Sequence, residues 1–338
     1  MNNLYIGLGG AGINALNEVY EKTCTEESNQ CNNKYVLIDT DLYSRNSLSN
    51  SLQRSFIDIG AESPSQIKAR ALQSPLKRWF VGWYDGYDYP FSINDGSGAI
   101  RSNGRIGLYG KYDDIYQRLS TILCQSATEL HPEDLLKIFV VTGSCGGTGS
   151  AILMDIMYLL NTILKSGSVP NAERCDNVFL LVAMPEMWIG YYDKNLNVQH
   201  KLISNAVAFF TELQFAIDNK NAIPSPYYPA IPPKKWMEDR PFSPFRHGYA
   251  LESRGKSKEQ VSFGMADLVC SLSEGNPIYQ DDVRILTGNM LAEWLQSHKE
   301  ISNGNYSFVD WKFARKVLDT DKNSDVGTDE IWDRLCNQ

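Results

Sequence analysis

Apolar residues along this chain fall into short runs that end on small or acidic residues, and most of these runs are followed by apolar positions at helical spacing. Residues 4–8 form the first run, which ends in Gly9-Gly10-Ala11-Gly12; Ile13, Leu16, Val19 and Tyr20 then recur with the period of one helix face. The pattern predicts strand, glycine turn, helix. A polar stretch at 25–33 leads to a second buried-strand run at 35–38, which stops at Asp39-Thr40-Asp41. Residues 56–59 read as a further short strand, and Tyr116, Leu119 and Leu123 as one helix face. The clearest unit is a strand at 137–141, a small-residue loop at 142–150 and an apolar helix at 151–164. A strand at 178–183, a helix at 202–217, a strand at 249–251 and a helix at 259–272 complete the alternation. Repeated strand–helix alternation predicts an α/β fold, a doubly wound and mostly parallel sheet flanked by helices. No internal repeat is visible.

Two segments follow no period. Residues 77–91 carry Trp79, Phe80, Trp83, Tyr84, Tyr87 and Tyr89 and read as an aromatic-rich insertion, either a packing flap or a surface for a partner protein. A proline-rich loop spans 224–233.

Composition narrows the class. With 338 residues, 43% of them hydrophobic, the chain can fill one large α/β core and a smaller appendage. Its longest apolar runs fall well short of the roughly 18 residues of a membrane span, so no transmembrane segment is expected. The first residues lack a basic region and read as a strand rather than a signal peptide, which points to the cytoplasm. Seven cysteines at irregular spacing suit reduced thiols, and four scattered histidines show no metal-ligand spacing. A net charge of −8 without a basic run argues against nucleic acid as a partner.

The candidate chemistry lies in the glycine loops. Backbone amides at a strand-to-helix turn bind anions, because a side chain would block approach and the helix dipole favours negative charge. Gly7-Leu8-Gly9-Gly10-Ala11-Gly12 satisfies the dinucleotide fingerprint, and Asp39 or Asp41 stands where a ribose-binding acid is looked for. An NAD(P)-dependent Rossmann enzyme is therefore one reading of the first forty residues. No lysine follows either loop as a P-loop requires. The mid-chain loop Ser144-Cys145-Gly146-Gly147-Thr148-Gly149-Ser150 supplies a second phosphate grip, for which a Rossmann domain has no use.

In this second loop, and in the order of the segments around it, the chain resembles the tubulin/FtsZ family. The loop is similar to the family's G-G-G-T-G-[TS]-G signature, except that Ser144-Cys145 opens it and Ser150-Ala151 closes it. Gly9-Gly10-Ala11-Gly12-Ile13-Asn14 fits the family's first loop, with Asn14 placed to bond the base or ribose, and Asp39-Thr40-Asp41 stands for its N-T-D. Gly96-Ser97-Gly98-Ala99 resembles the loop that wraps the terminal phosphate, with Arg101 and Arg105 adding positive charge there. Pro185 matches the proline before the ribose site; Ile189 and Asp193 occupy the family's polar positions, so Glu186 or Tyr191 would make the ribose contact. Phe263-Gly264-Met265-Ala266-Asp267 resembles the start of the central helix, whose acid accepts from the guanine N1–H and N2–H donors.

The resemblance implies a GTP/GDP-binding protein that uses Mg2+ and hydrolyses GTP slowly, coupled to head-to-tail self-assembly. Asp310, in Phe308-Val309-Asp310-Trp311, is the catalytic carboxylate it implies, acting on the nucleotide of the next molecule. The implied organisation is a nucleotide-binding domain over 1–275 with insertions at 60–95 and 219–245. Residues 276–338 then carry the central-helix extension, the catalytic-loop-like segment and a short tail, with a reduced or missing C-terminal domain. A nucleotide-gated interaction module without turnover, its partner held by the aromatic insertion, is the alternative.

Overall fold

Alternation inside the apolar runs decides which side chains face which core. The computed structural model describes residues 3–24, 33–72, 92–175, 177–218, 245–276, 278 and 281–298. The first half contains β1 (Asn3–Leu8), α1 (Gly9–Thr23), β2 (Lys34–Asp39), α2 (Leu42–Asn46), α3 (Asn50–Gln53), β3 (Phe56–Asp58), α4 (Pro64–Leu72), α5 (Arg101–Gly110) and α6 (Tyr112–Glu129). The second contains β4 (Lys137–Gly143), α7 (Gly149–Lys165), β5 (Asn177–Ala183), α8 (Glu186–Tyr191), α9 (Leu196–Asp218), β6 (His247–Leu251), α10 (Lys258–Glu274), β7 (Val283–Ile285) and α11 (Gly288–His298).

Among the described residues, seven strands form one sheet in the order β3-β2-β1-β4-β5-β6-β7, parallel throughout except for β7, which runs antiparallel to β6. This is the doubly wound, mostly parallel sheet that the alternation predicts. In β1 all six residues are buried: Leu4, Ile6 and Leu8 join the core beneath α5, α6, α7, α9 and α11, while Tyr5 joins the core beneath α1 and α10. A strand covered on both faces is apolar at nearly every position, which is why these runs do not alternate with polar residues; the buried Asn3 of β1 donates to the Tyr5 hydroxyl. Registered aromatic side chains tie the α1/α10 face together, with Tyr35, Tyr5, Phe139 and Phe179 stacked across four strands at centroid distances of 5.0, 5.3 and 4.9 Å.

The structure departs from the pattern in two places. Residues Gly9–Gly12 form the first turn of α1 rather than a separate turn before it. Residues 101–110 form α5, although 101–105 read as part of a phosphate loop. Their glycines are packing positions: a Cβ on Gly104 would lie 2.2 Å from the Gly147 carbonyl oxygen, and one on Gly107 would lie 2.4 Å from that of Ile59. Beyond residue 275, β7 completes the main sheet by pairing with β6. The aromatic insertion at 77–91 and the proline-rich loop at 224–233 lie outside the described residues.

Strand order reverses between β1 and β4, and in open α/β sheets that point opens a crevice at the carboxyl ends of the strands. Gly12 sets the closeness of α1 to this crevice, because a Cβ there would stand 2.1 Å from the Val141 carbonyl oxygen in the middle of the sheet. Gly12→Ala is expected to cost about 3 kcal/mol in urea denaturation through overpacking. Gly10→Ala, whose Cβ would find nothing nearer than 3.7 Å, is expected to leave the midpoint in place. Equal midpoints for the two variants would contradict the packing role of Gly12.

Candidate functional site

Three loops meet at the crevice: residues 8–11 between β1 and α1, residues 96–99 before α5, and residues 143–149 between β4 and α7. They touch backbone to backbone. Gly9 has φ 67°, in the left-handed region, and a Cβ on it would come 2.7 Å from the Gly149 nitrogen. A Cβ on Gly147 would meet Ser97 Oγ at 2.2 Å and the Ile100 nitrogen at 2.6 Å. Hydroxyls fasten the same junction: Thr148 Oγ1 lies 2.8 Å from Thr40 Oγ1 and donates to Ser97 Oγ at 3.2 Å. The loops enclose a pocket of about 280 Å³.

Helices α1 and α7 begin at this pocket, with Gly9 and Gly149 in its wall, and α5 begins just behind the lining loop 96–99; none carries a side-chain cap, since Leu8, Ile100 and Thr148 at the N-cap positions make no capping bond. Helix α10 begins elsewhere and has a complete capping box between Ser257 and Gln260. First-turn amides without a cap are donors in need of an acceptor, and the dipoles of α1 and α7 add at one place. The arrangement suits an anion with several oxygens.

The side chains of the pocket are acidic. Asp39 and Asp41, at the end of β2, both line it, and no Lys or Arg does so among the described residues. Asp39 is 3% exposed and accepts from the Thr40 amide at 2.8 Å and Ser44 Oγ at 2.9 Å. Burial pushes its pKa up from 3.8 to about 6; bonds from Ser44, Thr40 and Thr148 oppose the rise, and the Asp41 charge adds to it. Cys145 is buried in the same wall; burial first, and then the Glu186 charge, raise its thiol pKa far above the usual range, so it is no nucleophile at neutral pH.

Arg101 and Arg105, expected beside a terminal phosphate, turn into the core instead. Arg101 is fully buried, pairs with Glu212 of α9 at 2.6 Å and donates to the Ser150 carbonyl oxygen at 2.8 Å. Arg105 pairs with Asp155 of α7 at 2.9 Å, and Tyr109 donates to the same carboxylate. A guanidinium taken out of water needs a carboxylate beside it. Glu212 and Asp155, acids inside otherwise apolar helical runs, were the sequence signal for these partners.

A family model described as Tubulin like matches residues 4–281, most of the chain. The chain belongs to the tubulin-like family. CetZ from Methanosaeta thermophila strain DSM 6194 is similar in structure at 13% identity and TM-score 0.46, over 88% of this chain and 59% of that one. A GTPγS-form protofilament of TubZ from Bacillus thuringiensis serovar israelensis is similar at 14% identity and TM-score 0.45, over 83% and 57%. TubZ of Clostridium botulinum phage c-st is similar at 11% identity and TM-score 0.44, over 87% and 65%. The chain thus spans less than two thirds of the length of each. No curated protein matches it in sequence.

Against this tubulin-like frame, the residues expected at the site divide cleanly. Gly9, Gly10 and Ala11, Asp39 and Asp41, Gly96 to Ala99, and Cys145 to Gly149 line the pocket together. Gly12 packs on β4, Asn14 lies exposed on α1, Ser144 donates to the Ala183 carbonyl oxygen at 3.0 Å, and Ser150 donates to that of Gly146. Pro185 is the N-cap residue of α8 and does not line the pocket. Glu186, expected at the ribose, instead accepts from Trp294 Nε1 at 2.9 Å and lines a separate cavity of about 250 Å³. Tyr191, the other ribose candidate, is 64% exposed under Lys258. Asp267, expected at the guanine edge, is paired with Lys22 at 2.5 Å. Lys22 stands eight residues beyond Asn14, about 12 Å along α1, so the two base-reading candidates do not meet. Asp310 lies outside the described residues.

Gly143, part of the expected loop, lines the pocket too; Leu8, Ser44, Trp188 and Leu202 also line it and were not anticipated there. Ser44 had a local signal: Asp41 caps α2 by accepting from the Tyr43 amide at 2.9 Å, which sets Ser44 in the first turn beside Asp39. Trp188 and Leu202 arrive from α8 and α9, far along the chain.

The folded state holds the Asp39 proton more tightly than the unfolded state does. Stability from this group therefore falls as pH rises from about 4 to about 6, and the loss is complete above that. The full loss is about 3 kcal/mol. Asp39→Asn should flatten the stability–pH curve over this window and raise the denaturation midpoint at pH 8; an unchanged curve would show that Asp39 titrates normally.

Proposed function

We propose that this chain binds a guanine nucleotide, GTP or GDP, with its phosphates on the amides that open α1 and α7 and on those of the 96–99 loop, and hydrolyses GTP slowly within a head-to-tail assembly. One observation carries the reading: the uncapped N-termini of α1 and α7 and the 96–99 loop, locked together through Gly9, Gly147 and Thr148, face a single pocket at the topological switch point. Membership of the tubulin-like family favours guanine as the base. The family reading also favours a main nucleotide-binding domain over 1–275, an extension over 276–338, and a cytoplasmic filament former.

The acids fit this ligand through a hard cation. Asp39 and Asp41, with the hydroxyls of Ser97 and Thr148, are the oxygen donors Mg2+ uses when it completes its shell from phosphate oxygens. Bound there, Mg2+ supplies positive charge that neutralises the phosphates. Backbone amides hold the phosphates in place, and the walls formed by Trp188 and Leu202 exclude water on the apolar side. Asp310 of a neighbouring molecule is the carboxylate proposed to orient the attacking water.

A second reading, a nucleotide-gated interaction module without turnover, is favoured by the lack of any basic side chain in the pocket wall among the described residues. Its partner surface would be the aromatic segment 77–91. No helix among the described residues is long and apolar enough to cross a membrane.

Calorimetric titration with GTP, ATP and NAD in the presence of Mg2+ tests the ligand. Gly146→Trp is the blocking variant, because Gly146 lines the pocket and a Cβ on it meets nothing within 4 Å, so a bulky side chain fits at the pocket wall without straining the fold. Selective GTP binding, lost in Gly146→Trp at unchanged thermal stability, is the expected result; NAD bound in preference to GTP would sink the proposal. Phosphate release that rises more than linearly with protein concentration marks assembly-coupled hydrolysis, and binding without release marks the gated module.

A further inference from the structure

Helix α9 grips the outside of the pocket through one face. Lys201 Nζ donates to the Gly98 carbonyl oxygen at 2.6 Å. One turn later, Asn205 Nδ2 donates to the Ala99 carbonyl oxygen at 2.8 Å and to that of Cys145 at 3.1 Å. Two turns further, Glu212 holds Arg101, whose guanidinium reaches the Ser150 carbonyl oxygen. Asn205 is 2% exposed, so a single buried amide uses both of its hydrogens to join the loop at 96–99 to the loop at 143–149.

The loop it holds does not sit in a relaxed conformation. Gly96, Gly98 and Ala99 all have positive φ, at 98°, 63° and 55°, and Ala99 pays for this with its Cβ. With Arg101 and Arg105 buried in ion pairs, this loop offers an anion its backbone amides rather than a charge. Amide hydrogen bonds weaken steeply with misalignment. Whatever fixes the loop therefore fixes its affinity for a phosphate.

We infer that Asn205 is a positioning residue which, supported by Lys201, clamps the 96–99 loop to the 143–149 loop and so sets the preference of the pocket for a ligand with an additional terminal phosphate. The inference rests on the nucleotide reading above. It assigns to α9, which presents only Leu202 to the pocket, control over which phosphorylation state is held.

The test measures GTP and GDP affinities of the full chain with Mg2+ for wild type, Asn205→Ala and the half-buried Lys201→Met. Asn205→Ala should weaken GTP about tenfold, the equivalent of its two lost hydrogen bonds, and GDP far less, so that the GTP:GDP affinity ratio drops. Lys201→Met should shift the ratio in the same direction by a smaller factor, and it carries the test alone if Asn205→Ala does not fold. A purely structural role would lower both affinities together. Wild type that binds both nucleotides while neither variant changes the ratio overturns the clamp and leaves the nucleotide reading standing. Wild type that binds neither overturns the nucleotide reading, and the clamp with it.

Discussion

The closeness of the 143–149 loop to its neighbours is the constraint on which the rest of the site depends. Gly147 lies against Ser97 and Ile100, Gly149 against Gly9, and Gly104 of α5 against the Gly147 carbonyl oxygen, each at a separation that leaves no room for a Cβ. Such contacts bring two helix N-termini and the 96–99 loop to one place, and only that convergence turns separate glycine turns into a pocket. Thr148, bonded to both Thr40 and Ser97, makes the junction one rigid unit. The sheet beneath it is covered on both faces, so the platform cannot shift without disturbing two cores.

Charge is distributed by desolvation. The arginines that follow the 96–99 loop are withdrawn into the protein and neutralised there by Glu212 and Asp155, while the acids at the end of β2 remain in the pocket wall. A buried guanidinium without a partner would cost several kcal/mol, so these four residues come as two pairs or not at all. Asp39 answers the same pressure differently: with no cation beside it in the wall, it holds its proton to about pH 6. A pocket of amides and acids takes a multiply charged anion most readily together with a cation, which links the pocket chemistry to the metal requirement proposed for it.

Helix α9 connects these themes. It packs on α11 and the main core through apolar side chains such as Phe210, which meets Trp294 at 4.6 Å, while Lys201 and Asn205 hold the loop backbones. Its register in the core thereby places the two side chains that hold the loops of a pocket to which it contributes a single lining residue.

Several features of this architecture were legible along the chain. The strand–loop–helix units at 4–23 and 137–164, the strand ending at Asp39, and the glycine loops that line the pocket all show in periodicity and glycine placement, because these are local properties of a few neighbouring residues. The family order of those loops was legible for the same reason. The sequence did not reveal that 101–110 is a helix, that Arg101 and Arg105 face Glu212 and Asp155 rather than a ligand, or that Glu186 and Asp267 stand away from the pocket. Nor did it reveal that Trp188, Leu202 and Asn205 belong to the site. Each of these depends on which surfaces meet after residues 50 to more than 100 positions apart have packed together. By itself the sequence determined the elements and the chemical character of the loops; the tertiary structure decided which polar side chains reach the pocket, because burial forces every charge to find its partner in space rather than along the chain.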